Sequence, residues 1–525
     1  MTKRELIETL NSIIEEEILI SKEQLNDRVT QLVSDTRAKI QPGSAFVCIK
    51  GAKCNGHEFA DEANRQGASV IIAEWSEKIF INSPRSATLI LVSDTRKAWA
   101  LLSAAWFNYP AREMKTIGIT GTKGKSTTCY MIRDILKAAG RKVGVIGTIG
   151  ICVGEKVYDT NNTTPDSYLV QKYMREMADS GCDTVVMEVS SQGLKQHRVY
   201  GINFDYALFT NIGHDHIGGV EHADFEEYLY CKSLLFKQCS NAIVNIDDEH
   251  VFGMLENSHC NTEGFTSGKN RSDINCNTEG FTSGKNQTDI INCSEVLSAG
   301  NISLYNENGE TGIMFDYSSD KEAFKGSVRL PIPGRFNVMN AMAAIAVCRH
   351  FTKDTDVIAE ALGKTFVLGR LEPVRVSERF TVLIDYAHNA MALESVLNTL
   401  REYNPKRLVC LFGCGGDRAK DRRFEMGEVS SRLADLTVVT SDNPRTEKPE
   451  DIIADIMTGV KRADGNYVMI PDRCDAIRYV LENAQDGDVI LLAGKGNETY
   501  QEINGVKYHM DEREIVRDAW KAIKG

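Results

Sequence analysis

A strand, a glycine-rich turn and a helix follow one another without interruption at residues 116–139. The run Thr116–Ile119 is of β type, and the apolar residues of Lys125–Ala139 recur at three- and four-residue spacings before Gly140. The turn Thr120–Ser126 reads Thr-Gly-Thr-Lys-Gly-Lys-Ser. Such a turn directs backbone N–H groups and the positive end of a helix at one point, where a phosphate binds favourably. The sequence therefore predicts a phosphate-binding loop in an α/β domain.

Two side chains of this loop fit a nucleoside triphosphate. Lys125 can reach the β and γ phosphates, and the Ser126 hydroxyl can ligate Mg²⁺. The general pattern of phosphate loops places a glycine at position 119, where this chain has isoleucine. The loop is therefore a shortened variant, and a chance Gly/Lys turn is the alternative. The flanking strand and helix favour ATP binding. The loop residues expected to contact ATP are Gly121, Thr122, Lys123, Gly124, Lys125, Ser126 and Thr127.

Length and charge limit the class of protein. A chain of 525 residues exceeds one ordinary hydrophobic core, so about two to four domains are expected. The net charge of −12 argues against nucleic acid or an anionic membrane as the main partner. The sequence has no apolar run of about 18 residues that could span a membrane, and its N-terminus lacks the apolar core of a secretory signal. These features predict a cytoplasmic protein with small-molecule substrates and no membrane insertion.

The 14 cysteines are scattered, and no two of them have Cys-x-x-Cys spacing. Several lie inside apolar runs, as Cys129, Cys348 and Cys410 do. This usage predicts buried free thiols in a reducing compartment, with a disulfide framework as the alternative.

The pattern of apolar runs divides the chain into three regions. Residues 1–93 contain short apolar runs around a helical segment, which indicates a small α/β unit. Residues 94–368 open with a helix-like stretch from Arg96 to Phe107 and include the phosphate loop. In residues 369–525 strands and helices alternate, which predicts a parallel, doubly wound sheet. The strands predicted there are Thr381–Ile384, Arg407–Phe412, Leu436–Thr440 and Val489–Ala493.

One segment is duplicated. Residues Cys260–Asn270 recur as Cys276–Asn286 with the same sequence, Cys-Asn-Thr-Glu-Gly-Phe-Thr-Ser-Gly-Lys-Asn. Two short copies are too few for a solenoid, which needs at least about three repeats of 20 or more residues. The polar, glycine-containing composition of residues 260–292 predicts a duplicated surface loop, and a functional role is the alternative.

Short motifs follow one another across all three regions. They are Ser34–Arg37, Pro42–Val47, Thr163–Asp166, Met187–Leu194, Gln196–Arg198, Asn211–His216, Gly334–Asn340, Gly369–Glu372, Asp385–His388, Gly413–Arg418, Asp442–Arg445 and Gly494–Glu498. Together with the shortened phosphate loop, and in this order, they resemble the Mur ligases and their folylpolyglutamate synthetase relatives over nearly the whole chain. The resemblance implies a three-domain α/β fold. Its parts would be a small N-terminal UDP-binding domain, a central P-loop ATPase domain with a mostly parallel sheet, and a C-terminal Rossmann-like domain that binds the amino acid.

The resemblance also implies a reaction. Mur ligases use ATP to convert a carboxylate to an acyl phosphate, which an amine displaces to form an amide. The motifs are most similar to those of the members that add the third residue of the peptidoglycan stem peptide. We therefore expect an ATP-dependent ligase that joins meso-diaminopimelate to UDP-MurNAc-L-Ala-D-Glu. Such an enzyme acts in cell-wall synthesis, and hence in cell shape and division, and is expected to be a monomer.

A magnesium site is expected beside the phosphate loop. Glu188 closes the apolar run Thr184–Met187, the strand-end location of a Mg²⁺ ligand, and one carboxylate with phosphate oxygens suits Mg²⁺. By resemblance, His216 is a second ligand, and Lys232 is carbamylated to hold a second Mg²⁺. From the residues alone, Lys232 would be a solvated helix lysine. The expected catalytic residues are Lys125, Glu188, His216 and Lys232, and the expected metal ligands are Ser126, Glu188, His216 and Lys232.

Zinc is the alternative metal, because His214, Asp215, His216 and His222 lie close together in the sequence. Two-residue spacing on an irregular loop is poor geometry for a tetrahedral zinc site.

The other contacts are assigned by the resemblance alone. UDP-MurNAc-dipeptide would be bound by Thr36, Thr163, Thr164, Ser190, Gln196 and Arg198. The remaining ATP contacts would be Asn340, Arg370, Asp385, Tyr386 and His388. The incoming amino acid would be bound by Arg418, Asp442, Asn443, Arg445, Gly494 and Glu498, which fall on loops after parallel strands, where such folds bind ligands.

Two of these residues bear on the identity of the amino acid. Its free carboxylate needs a planar bidentate cation, which Arg445 offers. In the Mur ligases, Asp-Asn-Pro-Arg accompanies meso-diaminopimelate, whereas lysine-adding members often lack the arginine. Glu498 would bind the distal ammonium group. The alternative interpretation of Asp442–Arg445 is a simple proline-containing turn that does not bind the amino acid.

The chain also departs from the usual family residues. It does so at 217–222 and 389–391, at Asn497 where His is usual, and at Thr36 where Ser is usual. These departures leave open a divergent ligase that adds L-lysine or another amino acid. A P-loop NTPase switch is the remaining alternative. An NTPase switch would hydrolyse ATP without any amino acid. This alternative assigns no function to the third region, residues 369–525.

Overall fold

The structure is a computed structural model of the whole chain. It describes residues 1–18, 24–51, 54–75, 77, 79, 87–214, 217–218, 221–256, 258–268 and 293–524. None of the helices in these ranges is long and apolar enough to cross a membrane. The cysteines in these ranges are free thiols.

The strands, in chain order, are β1 (Ile14–Ile18), β2 (Leu32–Val33), β3 (Ala45–Val47), β4 (Val70–Glu74), β5 (Thr88–Val92), β6 (Lys115–Thr120), β7 (Val143–Gly147), β8 (Gly150–Val153), β9 (Lys156–Tyr158), β10 (Thr184–Glu188), β11 (Phe204–Phe209), β12 (Cys239–Asn245), β13 (Asn261–Thr266), β14 (Val296–Glu307), β15 (Glu310–Ser319), β16 (Lys325–Leu330), β17 (Glu372–Pro373), β18 (Thr381–Asp385), β19 (Arg407–Phe412), β20 (Leu436–Val439), β21 (Tyr467–Met469), β22 (Asp488–Ala493), β23 (Tyr500–Ile503) and β24 (Val506–His509).

The α-helices are α1 (Lys3–Leu10), α2 (Ala60–Arg65), α3 (Thr95–Trp106), α4 (Lys125–Ala138), α5 (Ser167–Asp179), α6 (Ser191–Lys195), α7 (Phe225–Ser233), α8 (Val251–Leu255), α9 (Phe336–Cys348), α10 (Thr355–Lys364), α11 (Ala390–Arg401), α12 (Asp421–Leu433), α13 (Pro449–Arg462), α14 (Arg473–Glu482) and α15 (Glu512–Lys524). Short 3₁₀ helices span Gln24–Asn26, Gly56–Phe59, Pro110–Arg112 and Leu234–Gln238.

The chain separates into two compact units. The first consists mainly of Met1–Lys125 and Gly140–Glu263, and the second mainly of Ser126–Ala139 and Glu295–Gly525. The first unit contains the N-terminal sheet, in the order β1-β5-β4-β3-β2, in which only β1 runs antiparallel to its neighbour. It also contains strands in the order β12-β11-β6-β10-β7-β8-β9, of which β6, β7, β10, β11 and β12 are parallel. Parallel strands that are buried on both faces are near-continuous apolar runs, as Val143–Gly147 is.

The second unit contains the C-terminal sheet, in the order β17-β18-β22-β19-β20-β21, which is parallel apart from β17. One face is covered by α11, α12 and α13, through residues such as Leu397, Met426 and Ile456. The other face is covered by α14 and α15, through Ile477 and Val516. Helices on both faces of a parallel sheet confirm the doubly wound arrangement predicted for residues 369–525.

The predicted strands agree with the observed ones to within a residue or so. Arg407–Phe412 is β19 as predicted, and β18 and β22 are each one residue longer than expected. In residues 1–93, the apolar run Ala45–Ile49 forms a strand only in its first part, since β3 ends at Val47. The helix after the phosphate loop spans Lys125–Ala138, as its apolar spacing predicted.

The duplicated segment is not a surface loop throughout, so that prediction is wrong for the first copy. Asn261–Thr266 forms strand β13, which pairs in parallel with β14, and Phe265 is fully buried. Composition predicted a loop because Asn and Gly are depleted in strands, but partner strands can override this preference. The second copy, Cys276–Asn286, lies outside the described residues.

Candidate active site

The phosphate loop is held in shape by the segment that follows β11. The Thr122 N–H donates to the Asn211 carbonyl (2.8 Å), and the Lys123 N–H donates to Asn211 Oδ1 (3.0 Å). Gly121 adopts a φ of 151°, and a Cβ atom there would lie 2.0 Å from Thr210 Oγ1. Only glycine fits so close an approach, so this position needs glycine for both backbone and space. Lys125 Nζ donates to the carbonyls of Gly121 (2.8 Å) and Thr122 (3.0 Å), which places its charge over the loop.

Glu188 is a buried carboxylate at the carboxyl end of β10, with 1% of its surface exposed. The Thr148 N–H donates to Oε1 (2.9 Å) and the Thr148 hydroxyl donates to Oε2 (3.2 Å). A Cβ atom at Gly147 would lie 2.3 Å from Oε1, so this glycine makes room for the carboxylate. One fixed carboxylate, with phosphate and water oxygens for the other positions, fits Mg²⁺, which favours oxygen ligands and retains several waters.

Lys232 is buried, with 1% of its surface exposed, so its interpretation as a solvated helix lysine is wrong. It lies on α7, and its Nζ donates to the Gly121 carbonyl at 2.7 Å. Its Nζ also lies 4.6 Å from the ring centre of Tyr228, whose hydroxyl is 3.0 Å from Thr122 Oγ1. Two lysines, Lys125 and Lys232, therefore converge on the carbonyl oxygen of one phosphate-loop glycine.

Five of the six residues expected to hold UDP-MurNAc-dipeptide, all except Thr36, form a connected group beside Glu188. The Thr164 hydroxyl donates to the Glu188 carbonyl (2.9 Å) and accepts from the Ser190 N–H (2.9 Å). Arg198 donates to the Thr164 carbonyl (2.6 Å) and to Gln196 Oε1 (2.8 Å). Burial lowers the pKa of Arg198. Thr163 Oγ1 lies 3.0 Å from the Thr148 hydroxyl, and Thr36 lies in the turn after β2.

In the second unit, the expected nucleotide contacts after β18 lie close together. Asp385 accepts hydrogen bonds from the N–H groups of Leu371 and Ala387 (both 2.8 Å), and burial raises its pKa. The Arg370 guanidinium lies 5.5 Å from the ring centre of Tyr386, and His388 Nδ1 is 2.8 Å from the Tyr386 carbonyl. Asn340 lies on α9, where its side-chain amide donates to Asn337 Oδ1 (2.8 Å).

The residues expected to bind the amino acid lie on loops after β19, β20 and β22, at the carboxyl edge of the C-terminal sheet. Asn443 Nδ2 donates to Glu498 Oε2 (2.8 Å). Lys495 is fully buried, and its Nζ bonds both Asn443 Oδ1 (2.9 Å) and Glu498 Oε2 (3.0 Å). A Cβ atom at Gly494 would lie 2.9 Å from Asp442 Oδ2, so Asp442 lies directly against this loop.

Arg445 has an unusual backbone conformation for a non-glycine residue, with a φ of 52°. Its Nη1 donates to the Gly416 carbonyl (2.6 Å), and its Nε lies 3.4 Å from Glu502 Oε2. A Cβ atom at Gly415 would lie 3.1 Å from Arg445 Nη1 and 3.9 Å from Arg418 Cγ, so both arginines border the same glycine. Non-glycine residues with a left-handed backbone conformation are concentrated at functional sites, where this conformation sets the direction of the side chain.

Comparison with known proteins covers all three regions. Residues 36–105 match the catalytic domain of the Mur ligase family, residues 119–348 its middle domain, and residues 369–496 its glutamate ligase domain. A relative from Clostridium botulinum, named UDP-N-acetylmuramoyl-L-alanyl-D-glutamate–2,6-diaminopimelate ligase, is 38% identical over 500 residues, which are 94% of this chain and 96% of the relative. A relative of the same name from Caldanaerobacter subterraneus is 39% identical over 494 residues, or 94% and 95% of the two chains. The chain belongs to the Mur ligase family.

A solved structure has the same fold. It is a UDP-N-acetylmuramoyl-L-alanyl-D-glutamate–2,6-diaminopimelate ligase, with a TM-score of 0.70 and 26% identity, and the match covers 100% of this chain and 99% of the other. The predicted family, the three-domain α/β fold and the class of ATP-dependent amide ligase are confirmed. The boundaries at residues 93 and 368 stay predictions, as do the individual site residues.

Some of the predicted site residues have no described position in the structure. His216 and Asp215 lie outside the described residues, so the second predicted magnesium ligand has no position here. Of the predicted zinc group, only His214 and His222 lie among the described residues, and the ligand atoms of His222 lie near those of Glu227 and Cys231. Of the predicted loop and metal residues, Lys125, Glu188 and Lys232 lie in the first unit and Ser126 in the second, which also contains the predicted amino-acid contacts.

Several residues at these sites were not found from the sequence. Thr148 fixes the Glu188 carboxylate, and Lys495 binds the two loops that carry Asn443 and Glu498. Arg473 is fully buried with Glu512 and donates to the carbonyls of Ser441 (3.3 Å) and Ala493 (2.9 Å). Lys495 lies inside a recognised motif and could have been singled out there. Arg473 carries no local signal, since arginine on a helix is ordinarily exposed.

Proposed function

We propose that the chain is the ligase that joins 2,6-diaminopimelate to the D-Glu carboxylate of UDP-MurNAc-L-Ala-D-Glu, with ATP as the co-substrate, in peptidoglycan precursor synthesis. The observation that carries the proposal is the similarity of the whole chain to relatives named for this reaction. The geometry supports it, because residues Thr120–Lys125 of the phosphate loop and the fixed, buried Glu188 belong to one unit, and the loops that carry Arg418, Arg445 and Glu498 belong to the other.

In the proposed reaction, a carboxylate oxygen of D-Glu attacks the γ-phosphorus of ATP and ADP leaves. The amine of diaminopimelate then attacks the acyl carbon, phosphate leaves, and the amine loses a proton. Both substrates of the first step are anions, so catalysis consists mainly of positioning and charge neutralisation. Lys125 and the loop N–H groups would bind the β and γ phosphates. Thr164, Ser190 and Arg198 would orient the peptide whose carboxylate reacts.

Magnesium would be held by Glu188 and Ser126, with His216 and a carbamylated Lys232 as further ligands. Once bound, it would neutralise charge on the phosphate oxygens. The burial of Lys232 beside the phosphate loop, with its Nζ 2.7 Å from the Gly121 carbonyl, supports this assignment. A cytoplasmic location is supported by the free thiols among the described cysteines. A monomeric state would be tested by light scattering of the purified protein.

The decisive experiment is a product assay. Purified protein with ATP, Mg²⁺, UDP-MurNAc-L-Ala-D-Glu and meso-diaminopimelate should release phosphate and form UDP-MurNAc-tripeptide, detected by mass spectrometry. Omission of either the dipeptide or the amino acid should abolish product. Product with L-lysine but not with diaminopimelate would identify the alternative ligase. Phosphate release that depends on neither substrate would indicate an NTPase without ligase activity.

Replacement of Arg445 with alanine is expected to raise the KM for diaminopimelate about 100-fold, because a charged hydrogen-bonded contact of about 3 kcal/mol is lost. Lysine at this position should not restore affinity, since it lacks the planar two-pronged guanidinium. The KM values would be measured for diaminopimelate, L-lysine and ATP. The matched control is Arg432→Ala on α12, an exposed arginine paired with Glu394 at the surface. An unchanged preference between the two amino acids would remove Arg445 from this role.

Replacement of Glu188 with glutamine is expected to raise the Mg²⁺ concentration needed for half-maximal activity by about tenfold or more, because a fixed carboxylate ligand becomes a neutral amide. The activity would be titrated with Mg²⁺ at saturating ATP. Glu155→Gln, in the exposed turn between β8 and β9, is the control and should leave the titration unchanged. The same Mg²⁺ dependence in Glu188→Gln and in the unmodified protein would contradict the assignment.

A further inference from the structure

Three side chains of different chemistry meet at the start of α7. Glu227 and Cys231 are four residues apart on this helix, which places them on one face, one turn apart. His222 precedes the helix, whose first turn is capped by Asp224. The donor atoms of His222, Glu227 and Cys231 all lie within 4.8 Å of one another, and His222 Nδ1 is 3.8 Å from Glu227 Oε2.

Within the described part of the chain, one ring nitrogen of His222 makes no hydrogen bond. Its side chain is fully buried, and its Nε2 lies 2.9 Å from the Ser191 hydroxyl. Its Nδ1 is buried and has no hydrogen-bond partner among the residues that the structure describes. A buried polar atom left in this way costs about 1–3 kcal/mol. Since Nδ1 lies 3.8 Å from Glu227 Oε2, beyond hydrogen-bond range, a cation held between the two would give Nδ1 the partner it lacks.

We propose that His222, Glu227 and Cys231 form a binding site for a transition-metal dication of the Zn²⁺ class, separate from the Mg²⁺ that phosphoryl transfer requires. Imidazole nitrogen, thiolate sulfur and carboxylate oxygen are the three ligand types that Zn²⁺ takes in proteins. Mg²⁺ prefers oxygen ligands alone, so this set discriminates against it. Three protein ligands leave a fourth position for water.

Two of the three ligand side chains are hydrogen-bonded in the way that is usual at metal sites. A ligating histidine usually donates its other ring N–H to a fixed acceptor, and the Ser191 hydroxyl is placed to accept from Nε2. Ligating carboxylates are themselves hydrogen-bonded, and Glu227 is bonded by Lys195 Nζ at Oε1 (2.8 Å) and by the Ala223 N–H at Oε2 (2.7 Å). Binding would draw the donor atoms inward, to about 2.0–2.3 Å from the metal.

The site bears on the proposed active site through α7. Cys231 is followed directly by Lys232, whose Nζ contacts the phosphate loop. A metal that joins His222 to two turns of α7 would hold the helix that positions Lys232. The inference does not depend on the proposed function, because metal binding is measured without any substrate.

The test uses the full-length, tag-free protein, stripped of metal with a chelator and then titrated with Zn²⁺ or Co²⁺. We expect one Zn²⁺ per chain by elemental analysis, and a sulfur-to-cobalt charge-transfer band with Co²⁺. A large excess of Mg²⁺ should displace neither ion. Cys231→Ser is expected to remove the band and to weaken Zn²⁺ binding at least about tenfold.

Cys152→Ser, at a half-buried cysteine on β8 of the same unit, is the matched control and should keep the band and the affinity. Thermal unfolding would show that each variant is folded. If Cys231→Ser does not fold, the Zn²⁺ affinity of Glu227→Gln is measured instead. We expect it to be weaker than that of the unmodified protein by at least about tenfold. Absence of the charge-transfer band from the unmodified protein, or its persistence in folded Cys231→Ser, would overturn the proposal.

Discussion

Replacement of Lys125 with alanine is expected to lower kcat about 1,000-fold, which corresponds to about 4 kcal/mol of lost transition-state stabilisation. Lys125 is the first residue of α4, and its Nζ donates to the carbonyls of Gly121 and Thr122, within the loop proposed to bind the phosphates. Without it, charge that develops between the D-Glu carboxylate and the γ-phosphate is neutralised by the remaining groups alone. The measurement is the rate of phosphate release at saturating substrates.

Lys137→Ala is the matched control for this variant. Lys137 lies in the last turn of the same helix and is exposed, so its removal should leave the rate unchanged. The fold of Lys125→Ala would be checked by thermal unfolding, which should match that of the unmodified protein. A rate within tenfold of the unmodified enzyme would exclude Lys125 from phosphoryl transfer.

Replacement of Arg473 with leucine is expected to lower the free energy of unfolding by about 3–5 kcal/mol, because Glu512 would be left charged and unpaired in the interior. Both side chains are fully buried, and their ion pair is 2.8 Å long. Burial raises the pKa of Glu512, which shows how poorly its surroundings solvate the charge. The measurement is the unfolding transition of the protein in urea.

Two comparisons test the cause of this effect. Arg478 lies on the same helix, α14, and its side chain is about half exposed and paired with Asp475. The variant Arg478→Leu should change the free energy of unfolding by less than about 1 kcal/mol. The double variant Arg473→Leu with Glu512→Leu should recover most of the loss, because a buried ion pair is often replaced by apolar residues at little cost. A single variant that unfolds like the unmodified protein would contradict this account.

Arg473 also links stability to the amino-acid site. Its guanidinium donates to the carbonyls of Ser441 and Ala493, which directly precede Asp442 and Gly494. A folded Arg473 variant should therefore also show a raised KM for the amino acid, since both loops lose a shared support. The effect on the KM for ATP should be smaller.

The amino-acid sequence by itself determined the local elements and the family. Apolar runs and periodicity located α4 and four strands of the C-terminal sheet, β18, β19, β20 and β22, because side-chain spacing directly reflects the period of a helix or strand. The order of the motifs identified a Mur ligase, because the residues of each motif are adjacent in the chain. The ends of strands could also be predicted, as for Glu188, because a strand ends close to the residue at which an apolar run stops.

Only the tertiary structure decided which polar residues are buried and what they contact. Lys232 reads as a solvated lysine and Asn261–Thr266 as a loop, yet the first is enclosed beside the phosphate loop and the second is a paired strand. The contact of Arg473 with Glu512, and the approach of His222 to Glu227 and Cys231, likewise depend on how the folded chain packs. Burial depends on which distant segments cover a residue, and the same local sequence is solvated or enclosed according to what packs against it.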